Sequence, residues 1–132
     1  MKTELINEVE KIRRVFEEHH PFLNDIHFNY FPNGSCGHAS RFLAKWLESK
    51  GVENIRCMGG MQENGRTHTW LEIGDDIVDI TSDQFSRGYG AVYIDSNRQF
   101  HDQFINQKEE DLTIAPDMQE VFKRFWHLAK QA

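Results

Sequence analysis

Apolar residues recur at steps of three and four in three stretches of the chain. Over Thr3–His19 they lie among charged residues and predict an amphipathic helix that ends before Pro21. Over Gly37–Lys50 they form one stripe, and Gly51 follows where helices often end in a left-handed residue, which predicts a buried helix. The same spacing over Met118–Leu128 predicts a third helix.

Short β-branched or alternating runs fill the middle of the chain. They predict strands over Asn54–Gln62, Thr67–Ile73 and Ile77–Thr81, with a weaker strand over Ala91–Ile94, separated by glycine and asparagine turns. This succession predicts an antiparallel meander of three or four strands. With an irregular loop over 20–35 and helices before and after the strands, the pattern indicates an α+β fold whose helices gather on one side of the sheet.

The composition is that of one globular domain, and we expect residues 1–132 to form it. Of the 132 residues, 39% are hydrophobic and 27% are charged, which is typical of a chain that buries a single core. Neither a signal peptide nor a membrane-spanning run is evident, so we expect a soluble, cytoplasmic protein. The net charge of −6 is spread without a basic stripe, which argues against nucleic acid or a membrane surface as a partner.

The two cysteines, Cys36 and Cys57, are expected to be reduced thiols, because a cytoplasmic chain with an adequate core needs no disulfide. His38 and the His19-His20 pair offer metal ligands, but no spacing groups several of them into a metal motif. The acidic run at 109–111 is interpreted as a solvated turn. We therefore expect no metal and no cofactor.

Cys36 is the first candidate for chemistry, because it stands where the irregular loop enters the buried helix. The free N–H groups and dipole at a helix N-terminus stabilise a thiolate and lower the pKa of the cysteine, and the same groups can hold an oxyanion. Gly34 and Gly37 on either side leave room for a substrate to approach the sulfur. The alternative is a small buried cysteine that precedes a helix.

A histidine and an aspartate are predicted to meet on two neighbouring strands. Alternation places His68 and Asp79 on the face opposite the core, and an aspartate in the middle of a strand is unusual. A two-residue turn at Gly74-Asp75 pairs Trp70 with Asp79, which makes Asp79 a diagonal neighbour of His68. A turn one residue later places Asp83 opposite His68 instead, so Asp83 is the alternative partner.

Three short motifs resemble the transglutaminase-like superfamily, the papain-like group that includes arylamine acetyltransferases, peptide N-glycanases and bacterial transglutaminase-like cysteine proteinases. Gly34-Ser35-Cys36 and the helix after it resemble the G-x-C nucleophile helix of that family. His68-Thr69-Trp70-Leu71-Glu72 resembles its H-x-W-x-E strand, and Val78-Asp79-Ile80-Thr81 its strand ending in D-x-T. Ile80 stands where the family usually has proline. The likeness covers about half of the chain.

This resemblance implies a papain-like core in which a buried nucleophile helix packs on a small antiparallel sheet, with N- and C-terminal helices. It also implies a Cys-His-Asp triad, in which Cys36 is the nucleophile, His68 is its base and Asp79 orients the histidine. The expected function is acyl transfer on an amide, as in a peptidase, amidase, deamidase or transglutaminase. A protein, a peptide or a small amide is the expected substrate.

The oxyanion of such a reaction is expected to be held by the backbone N–H of Cys36, with Asn33 as the nearest side-chain amide. Two other classes of function remain open on the sequence. One is a binding module that keeps the fold while its triad is idle, which an unactivated Cys36 would indicate. The other is a redox or metal protein, which requires the sulfurs of Cys36 and Cys57 to lie close together.

Overall fold

The structure, a computed structural model, describes residues 2–85 and 89–132. It contains three α-helices in that part of the chain, α1 (Lys2–His19), α2 (Cys36–Ser49) and α3 (Gln119–Gln131). All three helices predicted from apolar periodicity are confirmed, and their ends differ from the predicted ones by less than a turn. The early start of α2 matters for function, because its first residue is Cys36.

The described strands form one antiparallel sheet with the order β4-β3-β2-β1-β5. Their bounds are Ile55–Met61 (β1), Thr67–Ile73 (β2), Asp76–Asp79 (β3), Tyr93–Asp95 (β4) and Ile105–Glu110 (β5). The first four strands are the predicted meander, and β4 lies two residues later than expected at its start. The architecture is therefore α+β, as predicted.

The expectation of three or four strands was wrong, because β5 adds a fifth strand beside β1. Its sequence, INQKEE, has no apolar alternation, since most of its side chains are exposed on an edge strand. Glu109 and Glu110, which were expected in a solvated turn, pair with β1 instead. An edge strand buries too little side-chain surface to leave a hydrophobic signal in the sequence.

The sheet is covered on both faces around β2 and β3. On one face the three helices pack with Leu71 and Val78 into the main hydrophobic core. On the other face a smaller cluster forms around Trp70 and Phe104, with further members from the chain after β3: Phe85 and Phe100. Because of this second layer, the side chains of β2 and β3 that point away from the helices are also buried.

The turn between β2 and β3 fixes which residues of the two strands are neighbours. Ile73 pairs with Asp76 and Leu71 with Val78, so the two-residue turn lies at Gly74-Asp75, as predicted. Gly74 has a φ of 61°, a conformation that glycine adopts without steric cost and that such tight hairpin turns require. The predicted register is confirmed, and it leaves Asp79 at the end of β3, on the same face as His68.

Candidate active site

Cys36 opens α2 with its thiol partly exposed. The preceding residue, Ser35, does not cap the helix, because its hydroxyl donates to the carbonyl of Pro32 at 3.0 Å. The first-turn N–H groups of α2 therefore have no side-chain acceptor and remain available to a negative charge. Farther along, α2 is held in place by its buried apolar face, which packs in the main core.

His68 and Asp79 are joined by a hydrogen bond of 2.7 Å between Nε2 and Oδ2. Both residues are almost fully buried, at 1% exposure each. A carboxylate only accepts hydrogen bonds, so Nε2 of His68 carries the proton and Nδ1 is the edge of the ring that is left for a thiol. The structure thus brings together the predicted histidine and the first of its two predicted partners.

Asp83, the alternative partner, lies elsewhere. Its carboxylate accepts two hydrogen bonds from the guanidinium of Arg13 in α1, at 2.8 and 2.7 Å. The same guanidinium donates to the carbonyl of Ile80 at 2.6 Å. Asp83 therefore anchors the chain that leaves β3 and does not contact the histidine.

The Asp79 carboxylate is fixed by donors on both of its oxygens. Oδ1 accepts from the backbone N–H of Thr81 at 2.9 Å, and Oδ2 accepts from two histidines, His68 and His101, at 2.7 Å each. Burial raises the pKa of Asp79, but the charge of His68 and the hydrogen bonds from both histidines outweigh it, and the pKa lies well below its ordinary value. The carboxylate is consequently ionised at neutral pH.

His101 is a site residue that sequence reasoning missed. It opens a short 3-10 helix, His101–Gln103, in a stretch of chain without helical or strand periodicity. Its ring is fully buried in the aromatic cluster beyond β2, at 4.9 Å from the ring of Trp70. No local sequence pattern predicts this position of His101, because packing against distant aromatic residues determines it.

Gln84 is the second residue that was missed. It ends the 3-10 helix Ser82–Gln84, and its Nε2 lies 3.3 Å from Nδ1 of His68. Its neighbour Phe85 packs edge-on against the same imidazole, with ring centroids 4.9 Å apart. Asn33, the side-chain amide expected near the oxyanion, is exposed, whereas the Gln84 amide lies on the edge of His68 that faces the thiol.

Cys36 and His68 shift each other's titration. Burial raises the pKa of the Cys36 thiol, but the influence of the His68 imidazole and its charge is larger and lowers that pKa below its ordinary value. Burial lowers the pKa of His68, but the charge of Asp79 and the thiol of Cys36 raise it to about 9. These opposite shifts favour a thiolate beside an imidazolium.

The contact between thiol and imidazole is looser than the contact between imidazole and carboxylate. Among the described residues, no well-aligned hydrogen bond joins Cys36 Sγ to His68, in contrast to the 2.7 Å bond to Asp79. Catalytic contacts are commonly long or poorly aligned before a substrate binds. The structure therefore shows the pair His68 and Asp79, and it does not show Cys36 joined to that pair.

Comparison with known proteins assigns nothing to this constellation. No family model, curated protein or solved structure matches the chain. Among the described residues, no helix is both long enough and apolar enough to cross a membrane. The function of the site is accordingly inferred from the chemistry of its own side chains.

The second cysteine, Cys57, lies in surroundings that disfavour a thiolate. Cys57 lies in β1 with no exposed surface and belongs to the main core. Burial is the largest influence on this thiol and raises its pKa to about 11. Both cysteines are free thiols, and the raised pKa makes the thiol of Cys57 a poor nucleophile at neutral pH.

Three ligand-type atoms, from His68, Asp79 and His101, lie within 4.8 Å of one another and are the one group of described residues with metal-like spacing. The two histidine nitrogens each lie 2.7 Å from the carboxylate oxygen, which is a hydrogen-bond distance. Ligand atoms around a tetrahedral zinc ion are roughly 3.3 Å apart, given metal–nitrogen bonds of about 2.0 Å. The spacing of these atoms therefore fits hydrogen bonds better than coordination of a common metal ion.

Proposed function

We propose that this protein is a cysteine acyl-transfer enzyme with a transglutaminase-like, papain-like core, acting on an amide. In this proposal Cys36 is the nucleophile, His68 is the general base and acid, and Asp79 orients the histidine. One observation carries it: the imidazole of His68 is held by a buried carboxylate at 2.7 Å and lowers the pKa of the thiol at the start of α2. An activated thiol at a helix N-terminus next to an oriented base is what nucleophilic catalysis requires.

The reaction begins when the Cys36 thiolate attacks the carbonyl carbon of the amide. A carbon–sulfur bond forms, and the π electrons of the carbonyl move to its oxygen. The imidazolium of His68 then gives its Nδ1 proton to the leaving nitrogen as the carbon–nitrogen bond breaks, which leaves a thioester on Cys36 and a neutral imidazole. Asp79 stays ionised throughout and keeps the histidine in one orientation.

The second half of the reaction releases the acyl group. Water or an amine gives a proton to Nδ1 of His68 and attacks the thioester, and the sulfur leaves as a thiolate beside the restored imidazolium. Water as the acceptor gives hydrolysis or deamidation, and an amine gives transamidation. Both outcomes use the same three side chains.

The negative oxygen that forms in each half lies within reach of two kinds of donor in this proposal. One is the set of N–H groups in the first turn of α2, beginning with that of Cys36, which Ser35 leaves without a side-chain acceptor. The other is the side-chain amide of Gln84, which is held on the Nδ1 side of His68. Backbone and amide donors of this type are typical of oxyanion holes.

A cavity of about 420 Å³ adjoins His68 and offers space for the substrate. Its lining includes the glycines of β1, Gly59 and Gly60, and a lysine of β5, Lys108. The cavity is suited to the residue that carries the scissile amide in a peptide, a protein or a small amide.

The test is the rate at which iodoacetamide alkylates Cys36 between pH 4 and pH 10, read by mass spectrometry. Cys57 is an internal control, because its buried thiol has a pKa raised to about 11 and is expected to react slowly. We expect Cys36 to react selectively, with an apparent pKa below about 8.5. In His68→Ala that pKa is expected to rise to the ordinary value.

Loss of fold in the His68 variant is monitored by circular dichroism, and His68→Gln provides a bulkier replacement for the same measurement. An apparent pKa near the ordinary value in the wild type, unchanged by either substitution, would refute the catalytic proposal. That result would favour an idle binding module instead. If Cys36 is activated, hydrolysis and transamidation of glutamine-containing peptides are measured next, with Cys36→Ser as the inactive control.

A further inference from the structure

The Asp79 carboxylate accepts a hydrogen bond from a second histidine, His101, which a Cys-His-Asp triad does not require. We propose that His101 is a positioning residue: its Nε2–H holds the Asp79 carboxylate in the orientation in which that carboxylate aligns His68 with Cys36. This inference rests on the proposed function and adds a fourth member to the site. His101 acts through Asp79 and contacts no substrate.

The geometry gives His101 the same relation to Asp79 that His68 has. Each histidine places Nε2 at 2.7 Å from Oδ2, and the two rings lie 6.1 Å apart with an angle of 30° between their planes. With the N–H of Thr81 on Oδ1 and the Thr81 hydroxyl at 3.5 Å from the same oxygen, the carboxylate accepts four hydrogen bonds from three segments of the chain. It cannot rotate without breaking at least one of them, and buried charge-assisted hydrogen bonds are the strong ones.

The surroundings of His101 indicate that it donates as a neutral ring. Nε2 must carry a proton to donate to a carboxylate, whereas the buried Nδ1 has no hydrogen-bond partner among the described residues. A cationic ring would leave a buried N–H without an acceptor, which is costly. The neutral tautomer therefore anchors Asp79 without adding a second positive charge, and the negative charge of Asp79 stays available to the imidazolium of His68.

The position of His101 is itself fixed from two sides. Its backbone carbonyl accepts from Nε2 of Gln107 at 2.8 Å. Its ring packs against Trp70 of β2 and Tyr93 of β4, with centroid distances of 4.9 and 5.6 Å. A ring held this way supplies a donor in one place, whereas a water molecule in the same position would be free to exchange.

The other ionisable groups around this pair of histidines are few. Cys36 faces His68 from α2, and Tyr89 and Tyr93 pack on His101, with burial raising the pKa of Tyr93 to about 12. On β2, Glu72 lies on the same face, with its carboxylate engaged by Arg98 at 2.9 Å and by Trp70 at 3.0 Å. None of these groups donates to Asp79, so a change at His101 acts on the site through the carboxylate.

The experiment compares His101→Phe, which keeps a ring but loses the donor, with His101→Gln, whose amide can donate. The readout is the pH profile of Cys36 alkylation in the full chain. Without the donor, Asp79 takes up a proton more readily and holds His68 less firmly, so the acid limb is expected to move to higher pH in His101→Phe. We expect alkylation about tenfold slower at pH 5 and little changed at pH 9, with most of the loss restored in His101→Gln.

A control separates positioning from packing. Phe100→Leu removes volume from the ring that packs edge-on against His101, at 5.1 Å between centroids, but removes no donor. It is expected to lower Tm and leave the acid limb in place. If His101→Phe behaves like Phe100→Leu, or if His101→Gln restores nothing, the inference about His101 is wrong.

Failure of this inference is distinguishable from failure of the proposed function. If His68→Ala shifts the pKa of Cys36 while His101→Phe does not, the enzyme proposal stands and only the role of His101 falls. If His101→Phe and His101→Gln both misfold, ¹⁵N spectra of histidine-labelled wild-type protein test instead which ring nitrogen of His101 carries the proton. A protonated Nε2 and a bare Nδ1 on His101 are expected, and the opposite tautomer would overturn the inference.

Discussion

Arg13 and Asp83, seventy residues apart in sequence, form a partly buried bidentate ion pair at 2.8 and 2.7 Å. The guanidinium is 7% exposed and also holds the carbonyl of Ile80 at 2.6 Å. Through these contacts α1 ties down the chain that leaves β3. Asp79 comes before these two residues that Arg13 binds and Gln84 comes after them, so one side chain of the first helix supports two residues of the site.

Replacing Asp79 is expected to affect the reactivity of Cys36, and replacing Asp83 is expected to affect stability. In Asp79→Asn the side chain no longer bears the charge that stabilises the imidazolium, so the pKa of Cys36 is expected to rise and activity to fall at least about a hundredfold. In Asp83→Asn the pKa of Cys36 is expected to stay unchanged, while stability falls by about 2 kcal/mol because Arg13 loses the charge of one of its two carboxylate partners and keeps only that of Glu17. Alkylation profiles and urea unfolding measure the two effects.

The opposite pattern would reassign the site. If Asp83→Asn shifts the reactivity of Cys36 and Asp79→Asn does not, Asp83 is the functional partner and the hydrogen bond of 2.7 Å between His68 and Asp79 is structural. Thermal unfolding of both variants serves as the control, because a reactivity change that merely follows loss of stability would appear in both proteins.

The pKa shifts at the site also make stability depend on pH. For Asp79 the folded pKa is below the unfolded one, so its contribution is present above about pH 4 and is lost as the pH falls through the folded value. For His68 the folded pKa of about 9 exceeds the unfolded value of 6.5, so its contribution is present below pH 6.5 and is lost as the pH rises to 9. Cys36, with a lowered pKa, contributes in the opposite direction over this alkaline range.

Removing the thiol isolates the effect of the histidine. In Cys36→Ala we expect the free energy of unfolding to fall by about 2 kcal/mol between pH 6.5 and pH 9, because a buried cation loses its proton there. In Cys36→Ala with His68→Gln the same range is expected to be flat. Urea unfolding at four pH values measures both, and a flat profile in the single variant would show that His68 does not titrate as an imidazolium beside Asp79.

Local sequence signals predicted the pair His68 and Asp79, with Asp83 as the open alternative, and the observed register of β2 and β3 selects Asp79. Strand alternation assigns each residue to a face, and a two-residue turn that begins with Gly74 fixes the register, so their meeting follows from rules of period and turn geometry. The helix α2 followed in the same way from apolar spacing and the glycine after its end, with a predicted start at Gly37, one residue after the observed start at Cys36.

The rest of the site depends on tertiary packing and left no such signal. His101 and Gln84 lie in short 3-10 turns whose positions are set by aromatic contacts with distant residues. Arg13 lies on an amphipathic helix, where a charged residue is usually solvated, and its burial depends on contacts with the carbonyl and carboxylate of the distant chain after β3. The edge strand β5 is mostly exposed, so it carries no hydrophobic pattern.

Two adjacent glycines in β1 differ in how tightly they are enclosed. A Cβ on Gly60 would lie 2.9 Å from Cβ of Phe104 and 3.3 Å from the carbonyl oxygen of Ile105, so Gly60→Ala must move β5 away from β1. A Cβ on Gly59 would meet only the carboxylate of Glu110, at the end of a flexible side chain. We expect Gly60→Ala to cost about 1–3 kcal/mol, as overpacking does.

Gly59→Ala is the matched control for this effect. It is expected to cost less, because Glu110 can swing aside and lose only its partly exposed ion pair with Arg41, at 3.2 Å. Because Phe104 packs at 5.3 Å from the ring of His68, Gly60→Ala is also expected to slow Cys36 alkylation, unlike Gly59→Ala. Equal effects of the two substitutions on urea unfolding would contradict this account.

Gln84 provides the means to separate activation of the thiol from stabilisation of the oxyanion. Its amide lies 3.3 Å from Nδ1 of His68 but carries no charge that could stabilise a thiolate, so Gln84→Ala is expected to leave the alkylation profile of Cys36 within about threefold of wild type. Alkylation forms no oxyanion, whereas attack on an amide does. For amide substrates we therefore expect kcat to fall about 10²–10³-fold with little change in KM, as when one oxyanion donor is lost.

Gln84→Glu sharpens the same comparison, because a carboxylate at that position repels both a thiolate and an oxyanion. It is expected to raise the pKa of Cys36 and to reduce kcat more than Gln84→Ala does. Asn33→Ala, at the exposed amide in the loop before Cys36, is the control and is expected to retain activity. If Asn33→Ala lowers kcat and Gln84→Ala does not, the oxyanion lies on the side of the loop before Cys36, and Gln84 serves only to hold the imidazole.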